Sequence, residues 1–303
     1  MINQTWIKND QDHIVRATAC HHTVRALACR TTDVCREAVR LHGLSPMAAA
    51  ALGRLMSGVL MMTQDLDQPG DTITAIIQGD GPLQGMTVVG EQNATVRGTV
   101  LQPIVETRYR EDGKLDIGFA IGKGTLTIIR DLRLKKPYIG RVALVSGEIA
   151  EDLAAYFAIS EQIPSIVSLG VRMTREGITQ AGGLIIQLLP DADEEIISWL
   201  EQRVSQFPDV TALLETGATP QQLLEKLLGA DNVQVHSITP CAYACPCNRE
   251  RMARNLIAMG YEQLSELAAD PEGIHLECHF CNRSYYFSQS DVQKLLEACL
   301  KNE

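Results

Sequence analysis

Six of the nine cysteines in this 303-residue chain lie at or beyond position 241. Four of them form two close pairs, Cys245-x-Cys247 and Cys278-x-x-Cys281, with thirty residues between the pairs. Two such pairs supply the four thiolate sulfurs that a tetrahedral zinc ion prefers. A Cys-x-Cys pair is less usual than Cys-x-x-Cys in a purely structural site. It also closes as a small strained ring when oxidised, and strained disulfides are the labile, regulatory ones. Metal keeps the sulfurs as thiolates, the form that peroxide and hypochlorous acid attack. The pattern therefore predicts one zinc bound in the reduced state by Cys245, Cys247, Cys278 and Cys281, and lost on oxidation.

The neighbouring candidates are weaker. Cys241 stands four residues before Cys245; it could replace Cys245 as a ligand or serve as an alternative disulfide partner. His236, His275 and His279 flank the pairs, but with four thiols present they read as exposed histidines. Cys20, Cys29 and Cys35 have no metal-ligand spacing and read as core thiols. Cys299 falls on an expected C-terminal helix as a bystander.

The elements that must hold the four sulfurs follow from local patterns. Ile274 and Leu276, then Tyr285, Tyr286 and Phe287, are β-prone and bracket the second pair, which suits a knuckle turn. The first pair precedes an expected helix over 249–259, whose N-terminus favours a thiolate. The segment has few large apolar residues. Structural zinc contributes on the order of 10–16 kcal/mol to modules of this kind, against roughly 5–15 kcal/mol for a whole domain, so losing the metal should unfold it.

Upstream, the fold class reads as α+β. Alternation over 13–31 suggests a hairpin with His21-His22 near its turn. Ser45-Pro46 opens a buried helix running to Met62. ITAIIQ, MTVVGE, ATVRGTV and TLTIIRD, in 73–131, are strand-like, as is 138–146. A helix is expected over 147–160, then strands near 166–173 and 178–189. Acidic residues Asp191, Asp193, Glu194 and Glu195 open another helix, and Thr219-Pro-Gln-Gln222 is a capping box for one that Gly229 ends. The expected organisation is a mixed α/β core domain at 1–190, a helical linker at 191–235 and a small zinc-binding redox-switch domain at 236–303.

Composition narrows the function. A net charge of −10 argues against a duplex-binding role and against anionic membranes. No apolar signal region opens the chain, and the apolar run 47–62 is short for a bilayer. The expectation is a cytoplasmic protein with neither nucleic acid nor membrane as partner. GFAIGKG at 118–124 lacks the spacing of a phosphate-binding loop and reads as a turn. Glu148, Glu151 and Asp152 have no nucleophile beside them and read as a structural or solvated face. Arg249, Arg251 and Arg254 are interleaved with carboxylates and read as a solvated or domain-contacting face.

The cysteine pattern followed by Arg-Glu-Arg at 249–251, with QGDGPL at 78–83, SGEIAEDLAAYFAISEQIPS at 146–165 and AGGLIIQLLP at 181–190, strongly resembles the heat-shock protein 33 family of redox-regulated chaperones. The resemblance covers nearly the whole chain; Cys241 is not part of that family's pattern. It implies an ATP-independent holdase rather than an enzyme, inactive when reduced and zinc-bound. Oxidised, the protein would carry disulfides Cys245–Cys247 and Cys278–Cys281, form a homodimer and hold unfolding client proteins. The residues alone leave two other readings open: a thiol–disulfide oxidoreductase using Cys278-x-x-Cys281, and a zinc-ribbon nucleic-acid binder.

Overall fold

The computed structural model describes residues 10–300. Its contacts divide the chain into two compact units, Met1–Ala244 and Cys245–Glu303.

The first unit opens with the hairpin β1 (His13–Ala19) and β2 (Val24–Arg30), followed by helices α1 (Thr32–His42) and α2 (Pro46–Met62). Strands β3 (Thr72–Gly79), β4 (Gly85–Glu91) and β5 (Thr95–Val100) come next, then α3 (Ile117–Ile121), β6 (Gly124–Asp131) and β7 (Tyr138–Ala143). Helix α4 (Ala150–Tyr156) runs into a π turn, and β8 (Ser165–Thr174) pairs with β9 (Gly177–Leu188). The unit closes with α5 (Glu194–Ser205), α6 (Val210–Glu215), α7 (Pro220–Leu228), β10 (Gln234–Pro240) and β11 (Ala242–Tyr243).

Two sheets form, ordered β10-β1-β2-β9-β8 and β11-β5-β4-β3-β6-β7. Helix α2 packs on strands of both. Its Ala-, Leu- and Met-rich composition lets nearly the whole of it be buried, and the main core gathers around it. The stretch Pro46–Asp65 is long and apolar enough to cross a membrane, but 89% of its apolar window is buried inside the fold.

A second core lies on the outer side of the first sheet. There Val15, Ala17, Ala26, Leu184 and Ile186 meet Leu200 of α5, Val210 and Leu214 of α6, and Leu223, Leu224, Leu227 and Leu228 of α7. Local chemistry starts two of these helices as expected. Asp193 caps α5 by accepting from Ile196 N, and Thr219 and Gln222 form the reciprocal box at α7. The three helices bury their apolar faces on the sheet, so residues 194–228 are a packed layer of the first unit.

The segment after them had no strand expectation. β10 joins the first sheet beside β1, and β11 pairs in parallel with β5 of the second. Residues 234–243 thus touch both sheets, and the boundary between units falls after Ala244, later than the 235/236 division drawn from composition.

Two of the doubtful motifs prove to be architectural. Asp152 is fully buried and accepts backbone N–H groups from Val145, Ser146, Gly147 and Ile149 at 2.7, 3.2, 3.3 and 2.9 Å, holding Ile149 at φ +72°. Glu148 pairs with Arg54 at 2.6 Å. In the glycine run, a Cβ on Gly124 would lie 1.8 Å from Gln78 O, and Asp80 accepts from Lys123 N at 2.7 Å. The glycines permit backbone contact between turns, and a strand follows them.

The second unit contains α8 (Arg249–Ala258), α9 (Tyr261–Ala268), the hairpin β12 (Ile274–Glu277) and β13 (Ser284–Phe287), and α10 (Gln289–Leu300). Leu256, Leu264, Ala268, Phe287, Val292 and Cys299 make its core. Cys299 is therefore a packing residue on the expected C-terminal helix.

Candidate metal centre

The first cysteine pair stands at the mouth of α8. Asn248 is the N-cap, its side-chain oxygen accepting from Arg251 N at 2.8 Å, so Cys247 sits one residue outside the positive end of the helix. The second pair occupies the β12–β13 turn. Cys281 N and Asn282 N both donate to Cys278 O, at 3.2 and 2.8 Å, and Cys278 N donates to Arg283 O at 3.0 Å. Asn282 takes the left-handed conformation at φ +53°, which asparagine tolerates better than most side chains. The turn presents both sulfurs on one side.

The two pairs converge. All four sulfurs lie within 4.8 Å of one another, with Cys245–Cys278 at 3.6 Å and Cys247–Cys281 at 3.2 Å. Zn–S bonds of 2.3 Å in a tetrahedron separate the sulfurs by about 3.8 Å. The donor set fits a thiophilic cation, and the side chains are free cysteines.

Hydrogen bonds unequalise the four thiols. Burial pushes Cys247 up, but donation from Tyr285 Oη at 3.1 Å and from the neighbouring thiols outweighs it and brings Cys247 down to about 7. Burial holds Cys281 up at about 11, with the Cys247 interaction adding to it, and burial likewise raises Cys245. Without a cation Cys247 thus ionises more readily than Cys245 and Cys281, with its neighbours as donors. A bound cation favours the deprotonated form of every ligand.

The remaining candidates go elsewhere. Cys241 is buried in the first unit's core, its thiol directed at Arg30 O at 3.7 Å, and it is not one of the four clustered thiols. Cys29 and Cys35 are buried in the same core, whereas Cys20 is half-buried in the β1–β2 turn. His236 lies in β10, His275 stacks on Tyr286 at 4.7 Å and His279 is exposed in the knuckle turn. None of the three joins the thiol group. Cys278-x-x-Cys281 sits between antiparallel strands, not at the strand-to-helix step that a thioredoxin-like motif occupies.

Two residues of the unit were not singled out for these roles. Tyr285 was legible only as β-prone. Arg249 donates to Tyr286 O and to Asp291 at 2.9 Å, with its guanidinium 4.2 Å over the Phe287 ring. It fastens α8 to the hairpin and to α10.

With this geometry in hand, the family model described as Hsp33 protein matches residues 12–288. The chain belongs to the heat-shock protein 33 family. Hsp33 relatives named 33 kDa chaperonin include one from Ruminiclostridium cellulolyticum, 47% identical over 96% of this chain and 99% of that protein. Another, from Acetivibrio thermocellus, is 44% identical over 95% and 97%. The crystal structure of the 33 kDa chaperonin from Thermotoga maritima superposes with a TM-score of 0.87 at 35% identity, covering 96% of this chain and 99% of that one. The Hsp33 fold is thus α+β with a cysteine cluster near the C-terminus, and the family is one of chaperones, as the motifs implied.

Proposed function

We propose that this chain is a redox-regulated, ATP-independent holdase that prevents aggregation of unfolding proteins under oxidative stress. The observation that carries the reading is the convergence of four thiols in a small unit with a small core. In the resting form one zinc ion, held by Cys245, Cys247, Cys278 and Cys281, supplies the cross-link between the start of α8 and the β12–β13 turn.

Oxidation removes four electrons from the four sulfurs and forms two S–S bonds. Two molecules of peroxide balance the step, each accepting two electrons and two protons and becoming two waters. Disulfide sulfur carries no thiolate charge, so the side chains lose their hold on the ion. All six sulfur separations are within 4.8 Å, so the four thiols are close together when the oxidant arrives. The family resemblance implies the pairings Cys245–Cys247 and Cys278–Cys281, the first a strained ring of the labile kind.

A unit of roughly sixty residues has a marginal core, so a metal cross-link supplies a large share of its stability. Its unfolding in turn loosens residues 191–235. Detachment of α5–α7 would bare Val15, Ala26, Leu184 and Ile186 of the first sheet, a surface for unfolded or partly unfolded clients and for a second copy in the oxidised homodimer. The cytoplasm, where thiols are kept reduced, is the compartment in which this switch has a resting state.

The test exposes the reduced, zinc-loaded chain to peroxide with mild heat. Release of one zinc per chain should accompany the appearance of aggregation suppression on a thermally unfolding client. If the oxidised, zinc-free chain lets that client aggregate as fast as buffer does, the reading fails.

A further inference from the structure

The β1–β2 turn contains a run of backbone outliers. Cys20, His21 and His22 all have positive φ, at 50°, 56° and 68°, and none is glycine. Non-glycine residues visit this region singly as a rule, so three in succession persist only where the surroundings impose them. Thr23 closes the turn through its N–H and its hydroxyl, both donating to Cys20 O, at 3.1 and 2.6 Å. The consequence is that the His22 ring folds back along β1, placing Nδ1 2.8 Å from Thr18 Oγ1.

A second irregularity aims another imidazole at the same atom. Along the β1–β10 pairing Ala17 faces Val235 and Arg16 faces Ser237, which leaves His236 as the extra residue of a bulge. Bulges redirect a side chain out of the alternation of its strand. His236 Nε2 lies 2.8 Å from Thr18 Oγ1, and the two imidazole centroids are 6.3 Å apart. Thr18 has one hydroxyl proton, so it donates to one ring nitrogen and accepts from the other. Two unrelated departures from regular backbone thus bring two ring nitrogens onto one oxygen.

We propose that His22, His236 and Thr18 form a second metal site, in the first unit, for a borderline divalent ion of the zinc class. Two imidazole nitrogens with a hydroxyl and water suit zinc, cobalt, nickel and copper, whereas hard cations prefer oxygen alone. Metal–nitrogen bonds are about 2.0–2.1 Å, so a bound ion would sit beside Thr18 Oγ1, with both rings turning from the hydroxyl towards it. Both histidines are exposed and can make that rotation. The ligand set contains no thiol, so the site should retain its metal under oxidation that disables a cysteine cluster.

The test titrates Co²⁺ into the reduced full chain. The first equivalent at the thiol cluster should bring intense near-ultraviolet sulfur-to-metal charge transfer. The second should bring only weak visible bands. His22→Gln and His236→Gln should each weaken the second equivalent by more than about tenfold, leaving the first equivalent and the unfolding midpoint unchanged, while His21→Gln and His275→Gln should have no effect. The proposal is overturned if the wild-type chain binds no second equivalent at a large excess of metal. It is also overturned if the His22/His236 double variant binds it as well as the wild type, or if the second equivalent brings charge-transfer absorption of its own.

Discussion

The hydroxyl of Tyr285, on β13, donates to the sulfur of Cys247 at the mouth of α8 across 3.1 Å. This bond joins the hairpin to the first cysteine pair independently of any metal. It also explains why Cys247 sits low while its neighbours sit high.

Tyr285→Phe should therefore raise the ionisation midpoint of Cys247 in the metal-free reduced chain. Loss of one hydrogen bond to a charged acceptor costs about 1.5 kcal/mol, or about one pH unit. The rate of alkylation at Cys247, followed against pH by peptide mapping, should shift from a midpoint near 7 to one nearer 8. An unchanged profile would mean that the phenol does not hold the thiolate.

The residual stability that the second unit keeps without its metal should be greatest near pH 9. An unfolded thiol ionises around 9.0, and Cys247 ionises near 7 in the fold. Between those values the unfolded chain holds the extra proton, so stability rises with pH and is lost as pH falls through 7. Cys281, near 11, and Cys245 are raised, so above 9 the folded form holds the extra protons and stability falls. The folded fraction of the second unit in the chelated, reduced chain, followed by amide-exchange protection of α8–α10 from pH 6 to 11, should trace this maximum. A monotonic curve would contradict it.

Cys241→Ser should keep one zinc per chain, because its thiol is enclosed in the first unit beside Arg30 O. Cys245→Ser should lose tight binding, since three thiols remain. Metal analysis of the two purified variants after dialysis separates them. Loss of zinc from the Cys241 variant alone would reverse the assignment at the first pair.

Leu227→Ala should give a partly active holdase without oxidant. Leu227 is 1% exposed and packs in the core beneath α7. Such a truncation costs about 2–5 kcal/mol, which weakens the layer 194–228 against the first sheet while leaving the four thiols untouched. Aggregation suppression by the reduced, zinc-loaded variant is the readout. A variant that is destabilised yet inactive until oxidised would show that this layer does not cover the client surface.

Much of this protein is written in short-range patterns. Residue types two or three positions apart announced the thiol pairs. Asp193 and the Thr219–Gln222 box announced helix starts, alternation announced the β1–β2 hairpin, and short β-prone runs announced β3, β4 and β6. These features are legible because their causes are local: a cap bonds within one turn, and a strand shows its two faces in alternate residues.

Other features depended on distant partners. Nothing within 234–240 says that it will be the neighbour of β1. Nothing near Cys241 says that its sulfur will meet Arg30, more than two hundred positions earlier. Asp152 reads like its acidic neighbours until the loop 145–149 wraps around it. Spacing alone determined that four thiols could share a cation. Only the tertiary structure decided that Cys241 would be walled off, that Tyr285 would supply a proton donor to Cys247, and that His22 and His236 would meet over Thr18. Burial and hydrogen-bond partnership are properties of surfaces brought together across the chain, and no window of sequence contains both surfaces.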